Sequence, residues 1–126
     1  MLMSGGRVIG WKLDPKERAA LLGQFAPAYP EVVADHVTLA VDEGGSRPAP
    51  PDAAASVVGV ADDGRGVQAL VVALNGTTAR PDGKVYHVTW SLAPGRRAVE
   101  SNDVIMAGKW AALDEAVPLN LRGARF

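Results

Sequence analysis

Apolar residues recur along this chain in two rhythms, period two and period three-to-four, and each rhythm predicts a different element. "RVIGWKL" (Arg7–Leu13) reads as a first strand. "DPKERAALLGQF" (Asp14–Phe25) reads as a helix, with Asp14 at its cap, Pro15 at the first helical position and Glu17 in capping-box spacing. Leu21, Leu22 and Phe25 give that helix an apolar face, and "PAYP" (Pro27–Pro30) ends it. "ADHVTLAV" (Ala34–Val41) alternates as a strand, and the Gly/Pro-rich "EGGSRPAPPDA" (Glu43–Ala53) then forbids regular structure.

"ASVVGVADDGRGVQALVVAL" (Ala55–Leu74) predicts two strands joined at "DDGRG" (Asp62–Gly66), nearly continuous in apolar residues and therefore central and covered on both faces. The "NGT" at Asn75–Thr77 matches a glycosylation sequon but reads better as an Asn-Gly turn. After a turn at "RPDGK" (Arg80–Lys84) comes a further strand, "VYHVTWSL" (Val85–Leu92). "ESNDVIMAGKWAAL" (Glu100–Leu113) predicts a helix opened by Ser101 or Asn102, with Ile105, Lys109 and Ala112 on one stripe and Gly108 as its weak point. "VPLNLRGARF" (Val117–Phe126) predicts a last strand that begins at an edge because of Pro118. Each half thus holds one helix and about three strands, a structural pseudo-symmetry.

With 126 residues, 48% apolar and 21% charged, the chain has the size and composition of one folded domain, 1–126. Thirteen basic against fourteen acidic residues leave a formal net charge of -1, which argues against histone-like or nonspecific duplex binding. The absence of cysteine excludes disulfides, thiolate zinc sites and cysteine nucleophiles. The first ten residues hold no apolar run long enough for a signal core, and no stretch approaches the roughly eighteen needed to span a bilayer, so a cytoplasmic protein is expected.

The chain has two histidines, His36 and His87, and both stand in one frame: His-Val-Thr followed by a large apolar residue. Alternation puts His36, Thr38 and Ala40 on one face of the first strand, and His87, Thr89 and Ser91 on one face of the second. The opposite faces, Val37, Leu39 and Val41, and Val88, Trp90 and Leu92, belong to the core. One such motif is an ordinary half-buried strand; two copies that use all the histidine in the chain point to a shared site. Two facing imidazoles suit in-line displacement at phosphorus, one ring as base and the other as acid, because an imidazole titrates at about 6.5. The threonine hydroxyls, Thr38 and Thr89, can donate to nonbridging oxygens.

Arg65, Arg80, Lys84, Arg96 and Arg97 could guide a phosphate, although each is individually an ordinary loop charge. Tyr86, Trp90 and Trp11 are read as core. Asp35 faces away from His36 by alternation and is a poor orienting carboxylate. "GTTARPDGK" misses phosphate-loop spacing, and two histidines fifty-one residues apart without a spaced carboxylate carry no metal-site pattern, so neither metal nor cofactor is expected.

The pair His36-Val37-Thr38-Leu39 and His87-Val88-Thr89-Trp90 resembles the duplicated signature of the two-histidine (2H) phosphoesterase superfamily, which includes LigT-like RNA cyclic phosphodiesterases and the cyclic phosphodiesterase domains of fungal and plant tRNA ligases. "ESNDVI" is similar to a Ser-Asn segment of the tRNA-ligase-like branch. The resemblance covers Val8 to Leu121, and its specificity lies in the two tetrapeptides. It implies an α+β, bilobal fold in which two antiparallel sheets form a central cleft with flanking helices. It also implies metal-independent hydrolysis of a 2′,3′-cyclic phosphate on an RNA 3′ end or a small nucleotide by a monomer, with His36 and His87 as the acid–base pair and Thr38 and Thr89 as phosphate binders. The residues leave open which histidine is acid; by analogy the first motif supplies the acid and the second the base. The chain is shorter than most members, which puts the substrate rim in doubt. A noncatalytic nucleotide- or RNA-binding module using the same cleft is the alternative.

Overall fold

Sixteen residues of one strand, at the C-terminal end of the chain, determine how the whole sheet is joined. In the computed structural model, which describes residues 6–108 and 110–126, the elements run β1 (Val8–Leu13), α1 (Pro15–Gln24), β2 (Glu31–Val32), β3 (His36–Val41), β4 (Ala53–Asp62), β5 (Val67–Leu74), β6 (His87–Leu92), α2 (Glu100–Met106) and β7 (Trp110–Arg125). The strands form one sheet in the order β2-β6-β5-β4-β7-β1-β3, with every pairing antiparallel. The α+β class is as expected. Two separate sheets are not found, because β7 is long enough to pair with β4 through Trp110–Leu121 and with β1 through Leu121–Arg125, which fuses the halves.

The two outermost strands are consecutive in the chain. Val33 N–H donates to Trp90 O (2.9 Å) and Ala34 N–H to Thr89 O (3.0 Å), extending the β2–β6 pairing, whereas Leu13 N–H donates to Asp35 O (3.1 Å) at the start of the β1–β3 pairing. One strand therefore changes partners at Ala34, where φ is +42°, and the sheet rolls until β3 and β6 approach each other. A left-handed alanine costs roughly 1–3 kcal/mol. The hydrogen bond from its own N–H and the one its carbonyl accepts from Arg18 Nε (2.7 Å), each worth about 1 kcal/mol, offset much of that.

Two apolar cores lie on the two faces. Trp11, Leu21, Val37, Leu70, Val72, Val88, Trp90 and Leu119 pack on the α1 side. Val67, Ala69, Val71, Leu92, Val104 and Ile105 pack on the α2 side. β5 is buried along almost its whole length, as a central strand should be. Trp90, Tyr86 and Trp11 are core residues, and the indole N–H groups of Trp90 and Trp11 reach Phe25 O and Pro51 O. Asp14 caps α1 by accepting from Lys16 and Glu17 N–H, but Glu17 does not close a capping box; its carboxylate accepts from the backbone and side-chain amides of Asn120 and ties α1 to β7. The Asn75-Gly76 turn has both residues at positive φ, as a two-residue hairpin turn requires.

Three sequence expectations in the second half of the chain differ from the structure. The helix expected over Glu100–Leu113 stops at Met106, since Gly108 takes φ +75° and Trp110 then pairs with Ala61 in the sheet. Ala112 accordingly lies in β7, and Lys109 lies outside the described residues. Neither Ser101 nor Asn102 caps the helix; the cap position is Val99, without a side-chain bond. Pro118 sits inside β7 and not at its start, opposite Ser56, in the part of the strand that β1 does not cover. Among the described residues no helix is long and apolar enough to cross a membrane.

Gly10 pairs with Thr38, and a Cβ there would stand 2.2 Å from Val37 O. Gly10→Ala is expected to destabilise the protein by about 1–3 kcal/mol through this overpacking, read as a lowered urea midpoint at unchanged slope.

Candidate active site

The rolled sheet brings both His-Val-Thr strands to one cavity of about 280 Å³. His36 and Thr38 line it from β3, and His87 and Thr89 from β6. Arg80 and Lys84, from the turn before β6, add positive charge to the wall. Val8, Val41, Ala98, Val99 and Asn102 complete it. All four motif residues singled out from sequence therefore meet, although they come from opposite ends of the strand order.

The two strands share a further detail. Opposite β1, the register slips so that Gly10 faces Thr38 and Ile9 faces Ala40, leaving Leu39 as the inserted residue. Opposite β5, Ala69 faces Thr89 and Gln68 faces Ser91, leaving Trp90 as the inserted residue. Each motif thus carries a β-bulge directly after its threonine. The bulge reverses the alternation beyond it, so Ser91 does not share a face with His87 and Thr89: its hydroxyl contacts Gln68 Oε1 (2.5 Å) and accepts from Tyr29 N–H, in the buried network that holds Ala26–Tyr29. Leu92 correspondingly packs on the α2 side with Val67.

The histidines stand in different environments. His87 is 9% exposed, and its Nδ1–H donates to Val85 O (2.8 Å), which leaves Nε2 with a lone pair when the ring is neutral. Burial lowers its pKa below the ordinary 6.5; the Val85 carbonyl opposes this, and the nearby charges of Arg80, His36 and Lys84, each a smaller effect, act in the same direction as burial. His36 is more open, at 29% side-chain exposure, and its Nδ1 lies 3.1 Å from Asp35 Oδ2. Asp35 was expected to face away. The alternation rule fails here because Asp35 precedes β3 and does not lie within a regular strand.

Thr89 is 7% exposed, with its Oγ1 2.9 Å from Ser101 Oγ and 3.3 Å from Ala98 O. Ser101 is fully buried behind it, and the neighbouring Asn102 lines the cavity while its Nδ2–H donates to Val99 O. Read from sequence as helix-opening residues, Ser101 and Asn102 instead support the site; the likeness of "ESNDVI" to a Ser-Asn segment was the one signal that marked them. Arg80 is nearly buried and gripped by Asp82 through two bonds of 2.9 and 2.7 Å, and this pairing pulls the Asp82 carboxyl down to about 2. Arg96 is engaged by Asp63 and Glu100, away from the cavity, and Arg65 lies beside it. Among the described residues no three His, Cys, Asp or Glu side chains cluster as metal ligands.

No family model matches this chain, and no curated protein and no solved structure matches it either.

Burial of a neutral His87 makes a prediction about stability. A ring whose folded pKa is depressed contributes stability that is complete above the unfolded value near 6.5 and is lost as pH falls through the folded one. Urea unfolding between pH 7 and 5 is expected to show a falling midpoint in the wild type and a flatter one in His87→Gln.

Proposed function

We propose that the protein is a metal-independent 2H phosphodiesterase that hydrolyses a 2′,3′-cyclic phosphate, on an RNA 3′ end or a small nucleotide. The observation that carries this reading is the convergence of His36, Thr38, His87 and Thr89 on one cavity from two strands five places apart in the sheet. The matching bulges after Thr38 and Thr89 support it, since they interrupt both motifs at the same point. The bilobal arrangement of the superfamily is then read in the rolled sheet as two flanks, one bearing β3 and the other β6, joined along β4 and β7.

In this reading the neutral His87 is the base: Nε2 takes a proton from water as the water oxygen bonds to phosphorus. His36 is the acid, and its Nε2–H passes a proton to the ribose oxygen as the P–O bond on the opposite side breaks. The product is a phosphomonoester with a free neighbouring hydroxyl. Thr38 donates to one nonbridging oxygen. Thr89 donates to another once Ser101 supplies the hydrogen between their two hydroxyls, which releases the Thr89 hydrogen from the Ala98 carbonyl. Arg80 and Lys84 favour an anion in the cavity. Every group used comes from one chain, so a monomer suffices.

A panel of 2′,3′-cyclic nucleotides and cyclic-phosphate-ended oligonucleotides, incubated with chelator, tests the reading by product mapping. Turnover is expected to persist with chelator and to fall by at least about a hundredfold in His36→Ala and in His87→Ala. The acid limb of kcat/KM against pH is expected below 6.5, because the base is needed neutral and its pKa is depressed. Tight binding without turnover, unchanged by either substitution, would point to the binding module instead.

A further inference from the structure

Asp35 lies beside the proposed acid, and the mechanism above makes no use of it. Its Oδ2 stands 3.1 Å from His36 Nδ1 and 2.5 Å from Lys12 Nζ. Lys12 is the register partner of His36 across β1 and β3, so the ammonium and the imidazole rise side by side with the carboxylate between them. The Phe126 ring lies against the imidazole, with centroids 4.4 Å apart and planes tilted by 49°, and Lys12 Nζ is 4.9 Å from the same ring. The imidazole is thus held on one edge and on one face.

A regular strand could not make this contact, since neighbouring residues there point to opposite sides. Asp35 lies ahead of β3 and is not bound by that rule, and the preceding Ala34 is clamped by Arg18 and by the pairing with Thr89. The charged groups around His36 are Lys12 from β1, His87 from β6 with Arg80 and Lys84 from the turn before it, and Arg122 of β7 beyond Lys12, which is engaged by Asp14. Among the described residues Asp35 is the carboxylate within 4 Å of the ring. Partial burial pushes the Asp35 carboxyl upward, but the bonds from Lys12 and His36 outweigh it and hold the pKa below its ordinary value.

We propose that Asp35 is the positioning residue of His36: it accepts the Nδ1–H, fixes the ring's tautomer and holds Nε2 toward the cavity. The inference rests on the two-histidine reading above. Lys12 keeps the carboxylate in place, which matters because the Asp35 side chain is 47% exposed and would otherwise rotate into water.

The test compares Asp35→Ala and Asp35→Asn in the full chain, by kinetics on a 2′,3′-cyclic nucleotide and by nitrogen NMR of the imidazoles. Asp35→Ala is expected to lower kcat by about ten- to a hundredfold with KM nearly unchanged, and Asp35→Asn to recover most of the loss because its amide oxygen still accepts. At a pH where the ring is neutral, the His36 signals are expected to show the Nδ1–H tautomer in the wild type and the loss of that preference in Asp35→Ala. Equal kcat in all three proteins, a loss shared by kcat and KM without rescue by asparagine, or an Nε2–H tautomer in the wild type would overturn the proposal. Absence of wild-type turnover would overturn the phosphodiesterase reading instead, and the His36 tautomer, read from the spectrum alone, would still decide the role of Asp35.

Discussion

One strand that leaves one partner for another at Ala34 sets the shape of the molecule. Up to Ala34 the chain is hydrogen-bonded to β6; from Asp35 onward it follows β1. Because β6 and β1 stand near opposite ends of the strand order, a short covalent link between them forces the sheet to roll. Without that link β3 and β6 would be distant edges of an open sheet, and no cavity would lie between them. The cost is a non-glycine residue at positive φ, and the surrounding bonds from Arg18 and to Thr89 hold it there.

The roll also makes the two motifs unequal. The β6 histidine sits against the packed centre of the sheet, where desolvation and neighbouring cations disfavour its charged form. The β3 histidine stands at the start of an outer strand, more exposed and next to a carboxylate. Two copies of one tetrapeptide pattern thereby acquire different surroundings from their places in the sheet. This asymmetry arises with no difference in the motif itself.

Much of this was legible in the sequence because period-two alternation is a backbone property that holds wherever a strand is regular. The strands around Val8, Val57, Val67 and His87 and the sharing of one face by His36 with Thr38 and by His87 with Thr89 follow from it, while the capped start of α1 follows from Asp14 and Pro15. The misreadings fall where alternation breaks. Asp35 reaches His36 because it lies ahead of the regular part of β3, and Ser91 turns to the other face because Trp90 is an inserted residue. Neither leaves a mark in composition: where a strand begins and where it bulges both depend on the partner strand. The end of α2 was half visible, since Gly108 was the weak point of the expected helix, but the pairing of Trp110 with Ala61 is a long-range event that no local pattern carries.

The far wall of the cavity has a different standing from the sheet. Ala98, Val99 and Asn102 belong to a single excursion between β6 and β7, bounded by Gly95 at φ +85° and Gly108 at φ +75°. It is fastened from within by Arg96 to Glu100 and to the β4–β5 hairpin through Asp63, while both histidines belong to strands outside it. A change of length or sequence in that excursion would therefore reshape the far wall of the cavity and leave both histidine strands in place. The outline of the cavity and its two imidazoles thus reside in separable stretches of the polypeptide.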